Sequence, residues 1–123
     1  EQKMIATVAG ERERTVAMLG QWVEVNSGTM NPAGVKRVGD LLRAELEPLG
    51  FSVEWIDMSA AKRSGHLVAR HRGSRSGKRL LLIGHLDTVF EADNLFQRWT
   101  LDGDVGRGPG AGDDKGGMAV MIA

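Results

Sequence analysis

Two stretches hold the residues best suited to chemistry: His85-Leu86-Asp87-Thr88, and Gly108-Pro109-Gly110-Ala111-Gly112-Asp113-Asp114-Lys115-Gly116-Gly117. Imidazole and carboxylate groups offered at strand ends and in tight loops are the ligands that zinc sites use. On an extended strand His85 and Asp87 fall on one side, about 6.5 Å apart at Cα. A histidine that binds a metal through one ring nitrogen needs a partner on the other to fix its tautomer, and Asp87 can be that partner. A strand-end histidine beside a capping aspartate, making ordinary hydrogen bonds, fits the same residues. The chemistry requires the two stretches to meet in space.

The second stretch is dense in glycine, at 106, 108, 110, 112, 116 and 117. Such a loop can take left-handed or crowded backbone conformations. It delivers Asp113 and Asp114 just before an apolar segment that reads as a helix, where negative charge is favoured and an aspartate can cap. A loose fit to a phosphate-binding G-x-G-x-x-A pattern at residues 106–111 does not hold. Pro109 lacks a donor N–H, two aspartates repel an anion, and Lys115 does not follow a glycine as a Walker lysine would. The acidic pair points to a cation.

Elements able to position these groups can be traced along the chain. Val16, Leu19 and Val23, widened by Met18, Trp22 and Val25, predict a helix from residue 11 that ends at Asn26-Ser27-Gly28-Thr29. Residues 1–10 are weakly patterned. Val35, Val38, Leu42, Leu46 and Leu49 predict a second helix from about residue 34, stopped by Pro48 and Gly50. Alternation over 51–56 predicts a half-buried strand, and 66–71 reads as another. A basic Gly/Ser-rich hairpin loop follows over 72–78, and residues 79–83 read as a central strand, apolar on both faces. Residues 90–107 form a long connection with one short strand around Trp99. The run 118–123 is apolar all round, so it predicts a helix buried by other elements, and a chain that is the front part of a longer protein. The expected class is α/β: a mixed β-sheet with helices on both faces.

Composition narrows the function classes. A chain of 123 residues, 41% hydrophobic and 26% charged, is one globular domain's worth. Sixteen basic and sixteen acidic residues cancel, which favours neither nucleic acid nor an anionic membrane as partner. No run of 18 apolar residues appears. The absence of cysteine excludes disulfides, thiolate nucleophiles and Cys-ligated zinc, leaving His, Asp and Glu as metal ligands. Neither a G-x-S-x-G elbow nor an H-E-x-x-H helix is present. His66 and His71, the basic cluster over 70–79, and Trp22, Trp55 and Trp99 read as surface or packing residues.

At His85-Leu86-Asp87-Thr88-Val89 and at residues 108–117 the chain resembles the co-catalytic zinc peptidases. That family includes glutamate carboxypeptidases, acetylornithine deacetylases, succinyl-diaminopimelate desuccinylases and aminoacylases. Its pattern is H-x-D-T-V at a strand end, then G-x-G-x-x-D-x-K-G-G leading into a buried helix, and both halves occur here in order. The spelling G-P-G-x-x-D-D-K-G-G looks most like the carboxypeptidase G branch, which removes C-terminal glutamate. Asn31-Pro32-Ala33-Gly34-Val35 and the Leu-Gly-Phe at 49–51 agree, so the resemblance covers nearly the whole chain.

The resemblance implies the N-terminal portion of a zinc-peptidase catalytic domain holding two zinc ions when complete. His85 would ligate one zinc, Asp113 would bridge both, and Asp87 would be the catalytic carboxylate that orients His85. Asp114 falls at a variable position and is not expected to be a ligand. The general-base Glu-Glu pair, a further carboxylate, a late His and a lid domain that mediates homodimerisation are expected beyond Ala123. By themselves these 123 residues are expected to be inactive. The implied substrate is a small peptide or N-acyl amino acid. Two alternatives remain open: a truncated, non-enzymatic interaction module, and a deacetylase or desuccinylase of amino-acid biosynthesis.

Overall fold

A computed structural model describes residues 2–73 and 77–123. Its class is α/β, with four helices and four short strands among the described residues. Helix α1 (Gln2–Gly10) leads through Glu11 into α2 (Arg12–Val23), and α3 spans Pro32–Leu46. A hairpin of β1 (Ser52–Asp57) and β2 (Gly65–Arg70) follows, then a hairpin of β3 (Thr100–Asp102) and β4 (Val105–Arg107), and finally α4 (Lys115–Ile122). The strands pair into two separate antiparallel sheets of two strands each.

The apolar stripes of α2 and α3 do what their spacing predicts. Met18 and Trp22 of α2, Val38 and Leu42 of α3, and Met118 and Ala119 of α4 form the buried core. Leu67 and Leu86 pack against it from β2 and from the loop that carries His85. Asn31 caps α3 by accepting a hydrogen bond from Gly34 N at 3.1 Å, with Pro32 opening the first turn. A 3-10 turn over Glu47–Leu49 ends at Gly50, whose φ of 86° is the left-handed stop expected there. The β1–β2 register sets Ser52 against Arg70 and Asp57 against Gly65.

Three expectations need correction. Residues 79–83, expected as a central strand, lie in no strand, and Leu80 and Ile83 are 89% and 78% exposed. An apolar run becomes a central strand only between neighbours that pair on both edges and cover both faces. Among the described residues β1 and β2 pair only with each other, so this run has no such neighbours. Residues 2–10, read as weakly patterned, form a helix in which Ile5 and Val8 are exposed. The 90–107 connection holds a full hairpin rather than one strand, turning at Gly103 (φ 56°) and Asp104. Its Gly103-Asp104 pair, with glycine at the first central position, is a hairpin signal in its own right. The basic loop expected over 72–78 falls partly at 74–76, outside the described residues.

Candidate metal-binding and catalytic site

The loop that carries His85 and Asp87 is fixed from an unexpected side. Residues 27–29, just after α2, run parallel to Thr88. Thr88 N donates to Ser27 O at 2.9 Å and Thr29 N donates to Thr88 O at 3.0 Å, around a Gly28–Thr88 bridge. Thr88 and Ser27 are buried, so these bonds are shielded from water. A polar knot braces the same segment. Asn26 donates to Phe90 O at 3.0 Å and to Gln97 Oε1 at 2.7 Å, while its own Oδ1 accepts from Asn31 at 2.9 Å.

The glycine loop approaches from the opposite side. Gly110 has φ 75°, and a Cβ there would lie 2.6 Å from the Thr88 methyl, so glycine permits both the turn and the close approach. Pro109 and Gly110 are buried against this contact. Lys115, first residue of α4, is fully buried and donates from Nζ to Val25 O at 3.0 Å, which ties α4 to the end of α2. Burial without a counter-ion lowers its pKa to about 8.

His85, Asp87 and Asp113 come together. His85 Nε2 lies 2.8 Å from Asp113 Oδ1. On the other side of the ring, Nδ1 lies 3.0 Å from the Asp87 carbonyl oxygen and 3.3 Å from Asp87 Oδ1. Both groups near Nδ1 are acceptors, so Nδ1 carries a proton. A neutral ring of that tautomer turns the Nε2 lone pair onto a carboxylate, which is repulsive unless a proton or a cation stands between them. The hydrogen bond to Asp113 accordingly raises the His85 pKa above its ordinary value, outweighing partial burial.

The donor set suits zinc in kind. Two ligands of a tetrahedral zinc stand about 3.3 Å apart, given bonds of about 2.0–2.1 Å. Opening the His85–Asp113 contact by about half an ångström would therefore admit the ion. Among the described residues no group of three or more His, Cys, Asp or Glu is arranged to hold a metal. Asp87 does not make a third ligand, because its carboxylate faces Nδ1 and Thr29 rather than Nε2. His85 and Asp113 thus fit as part of a ligand set.

A cavity of about 320 Å³ opens over this pair, lined by Thr29, His85, Asp87 and Asp113 and walled by Phe90 and Phe96. The two phenyl rings meet edge-on, 5.1 Å between centroids. Several further residues contribute in ways the motifs do not make evident. Thr29 donates to Asp87 Oδ2 at 2.6 Å. Asp114 makes no side-chain cap for α4 and instead accepts from His85 N at 3.3 Å. Gly84 leaves room for that contact, since a Cβ there would lie 2.6 Å from Asp114 Oδ2. Phe90 and Phe96 carry no sequence signal beyond being apolar. His66 and His71 do not line the cavity.

No protein-family model matches the chain. It is 35% identical over 113 residues to carboxypeptidase G2 of Pseudomonas sp. (strain RS-16), an alignment that covers 91% of this chain and 27% of that protein. It is 32% identical over 85 residues to the peptidase M20 domain-containing protein C757.05c of Schizosaccharomyces pombe, covering 69% of this chain and 20% of that protein. The chain therefore spans about a quarter of the length of the curated relatives it matches. With both motifs present and in order, the chain belongs to the M20 peptidase family and stands close to the carboxypeptidase G type.

Proposed function

We propose that this chain is the N-terminal portion of the catalytic domain of a dizinc amidohydrolase that releases a C-terminal amino acid such as glutamate from a small peptide or N-acyl amino acid. The observation that carries the proposal is the Nε2–Asp113 contact, in which an imidazole with a proton on Nδ1 faces a carboxylate across 2.8 Å. That arrangement calls for a positive charge between the two groups. The relationship to carboxypeptidase G2 supports an exopeptidase over other chemistries.

His85 and Asp113 would hold zinc, with Asp113 shared between two ions and further ligands supplied from outside these 123 residues. The zinc ions would supply activation of water and polarisation of the amide carbonyl. Asp87 keeps the proton on Nδ1, so that Nε2 presents its lone pair. Phe90 and Phe96 give the cavity an apolar wall on one side, against which an apolar part of the substrate could rest.

The test is hydrolysis by the intact protein of an N-acyl glutamate beside N-acetylornithine, before and after zinc is removed with a chelator. Release of glutamate that stops on chelation and returns with zinc is the expected result. Preference for N-acetylornithine would move the assignment to a deacetylase. Absence of any hydrolysis, or hydrolysis indifferent to chelation, would overturn it.

A further inference from the structure

Thr29 belongs to neither motif and lies 56 residues before His85 in the chain. Its backbone is held in register by the pairing of residues 27–29 with Thr88, which brings its side chain beside Asp87. The single hydroxyl proton has two acceptors within reach: Asp87 Oδ2 at 2.6 Å and Thr88 O at 3.3 Å. The shorter contact, to a charged oxygen, takes it. Asp87 Oδ1, the other oxygen of that carboxylate, is the one facing His85 Nδ1 at 3.3 Å. The carboxylate is thus gripped at one end by a hydroxyl and directed at an imidazole by the other.

We infer that Thr29 is a positioning residue for His85, acting through Asp87: its hydroxyl fixes the Asp87 carboxylate plane, and that plane keeps the His85 proton on Nδ1. The inference deepens the proposed function and rests on it for its catalytic consequence. Its structural half, coupling of a residue-29 hydroxyl to the His85 tautomer, does not require any metal. Without the hydroxyl, Asp87 can rotate about its terminal torsion, which is broad and offers no preferred well. Among the described residues the backbone carbonyl of Asp87, 3.0 Å away, would then be the acceptor left at Nδ1.

Thr29→Val removes the hydroxyl at constant shape, Thr29→Ser restores it, and Thr29→Ala guards against a packing fault from the added methyl. The first readout is the imidazole nitrogen chemical shifts of His85 in the metal-free intact protein at alkaline pH, with Asp113→Ala in every sample so that no carboxylate competes for the proton at Nε2. In that background the protein with Thr29 intact and the Thr29→Ser variant should show the Nδ1–H form, and Thr29→Val and Thr29→Ala a mixture of both tautomers. The second is zinc affinity by competition with a chromophoric chelator, expected to fall roughly tenfold in the Val and Ala variants, the low end of what loss of an outer hydrogen-bond partner costs a metal site. In turnover, kcat should fall by a similar factor with KM unchanged, and Ser should rescue it. Wild-type tautomer and zinc affinity in both the Val and Ala variants would overturn the inference. Were the proposed function wrong, wild type itself would fail to bind zinc or turn over, while the tautomer comparison would still decide the role of Thr29.

Discussion

At the scale of single residues, His85, Asp87 and Asp113 differ in what surrounds them, and that difference separates their mutants. The Asp113 side chain is 90% exposed and, among the described residues, bonds only the His85 ring, so little of the fold leans on it. Asp113→Ala should abolish turnover and zinc binding while shifting unfolding free energy by no more than about 0.5 kcal/mol, the usual range for an exposed substitution. Asp87 instead joins the His85 ring to Thr29 and bonds no group on the Asp113 side. Asp87→Ala should therefore lower turnover strongly while part of the zinc stays bound. Zinc titration by isothermal calorimetry beside a denaturant melt checks both, and an active Asp113→Ala protein with full zinc would remove the proposed bridge. The meeting of His85, Asp87 and Asp113 could be anticipated from the sequence because imidazole and carboxylate at such loop positions are the atoms the proposed metal site would need. The role of Thr29 could not be: it depends on a parallel pairing between positions about sixty residues apart, which leaves no local pattern. Asp114 reads as a cap from its place before α4, yet its carboxylate is recruited by the His85 N–H across the loop contact.

At the scale of elements, α4 is docked by a charge rather than by apolar contact alone. Lys115 sits at its first turn, fully buried, with the Val25 carbonyl as its hydrogen-bond partner. Its pKa falls from 10.5 to about 8 in the folded protein. Between those values the unfolded chain holds a proton that the folded chain has lost, so stability rises as pH climbs from about 8 to about 10.5. Below pH 8 both states carry the charge and the folded state bears the full burial cost. The gain across the window is on the order of 3 kcal/mol at most. Lys115→Met should flatten this rise relative to wild type in urea melts recorded at steps across the window, and parallel curves for the two proteins would refute it. The helices α2, α3 and α4 were readable because each carries its own stripe, cap or stop, as Asn31 and Gly50 illustrate. The β1–β2 hairpin was readable from alternation. Helix α1 was not, because its apolar residues Met4, Ile5 and Val8 make only a short stripe without a cap beside it. The β3–β4 hairpin was legible only in part, because its strands are three residues long and its Gly103-Asp104 turn is a short signal.

At the scale of the whole molecule, the core is one-sided. Met18, Trp22, Val38, Leu42, Met118 and Ala119 are buried between α2, α3 and α4. The outer face of α4 exposes Val120, and residues 80–83 lie exposed in the segment leading to Gly84, whose position would set a Cβ 3.0 Å from Met118 Cγ. Exposed apolar side chains in such a run are rare on a self-sufficient domain and are normally covered. The sequence announced residues 79–83 as a central strand because their composition is that of one, and composition cannot say which partners are at hand. The 123 residues studied alone should therefore bind a hydrophobic dye such as ANS strongly and associate as concentration rises. Replacing Leu80 and Leu82 by Lys should cut dye binding by more than half without altering the helical circular dichroism, since neither side chain touches the core cluster. A protein extending to the full length of its relatives should bind the dye weakly, if the added chain supplies strands beside residues 79–83 and a cover for α4. Weak dye binding by the 123 residues alone would show that this face closes on itself in solution, and the proposal of a larger catalytic domain built across it would lose its physical basis.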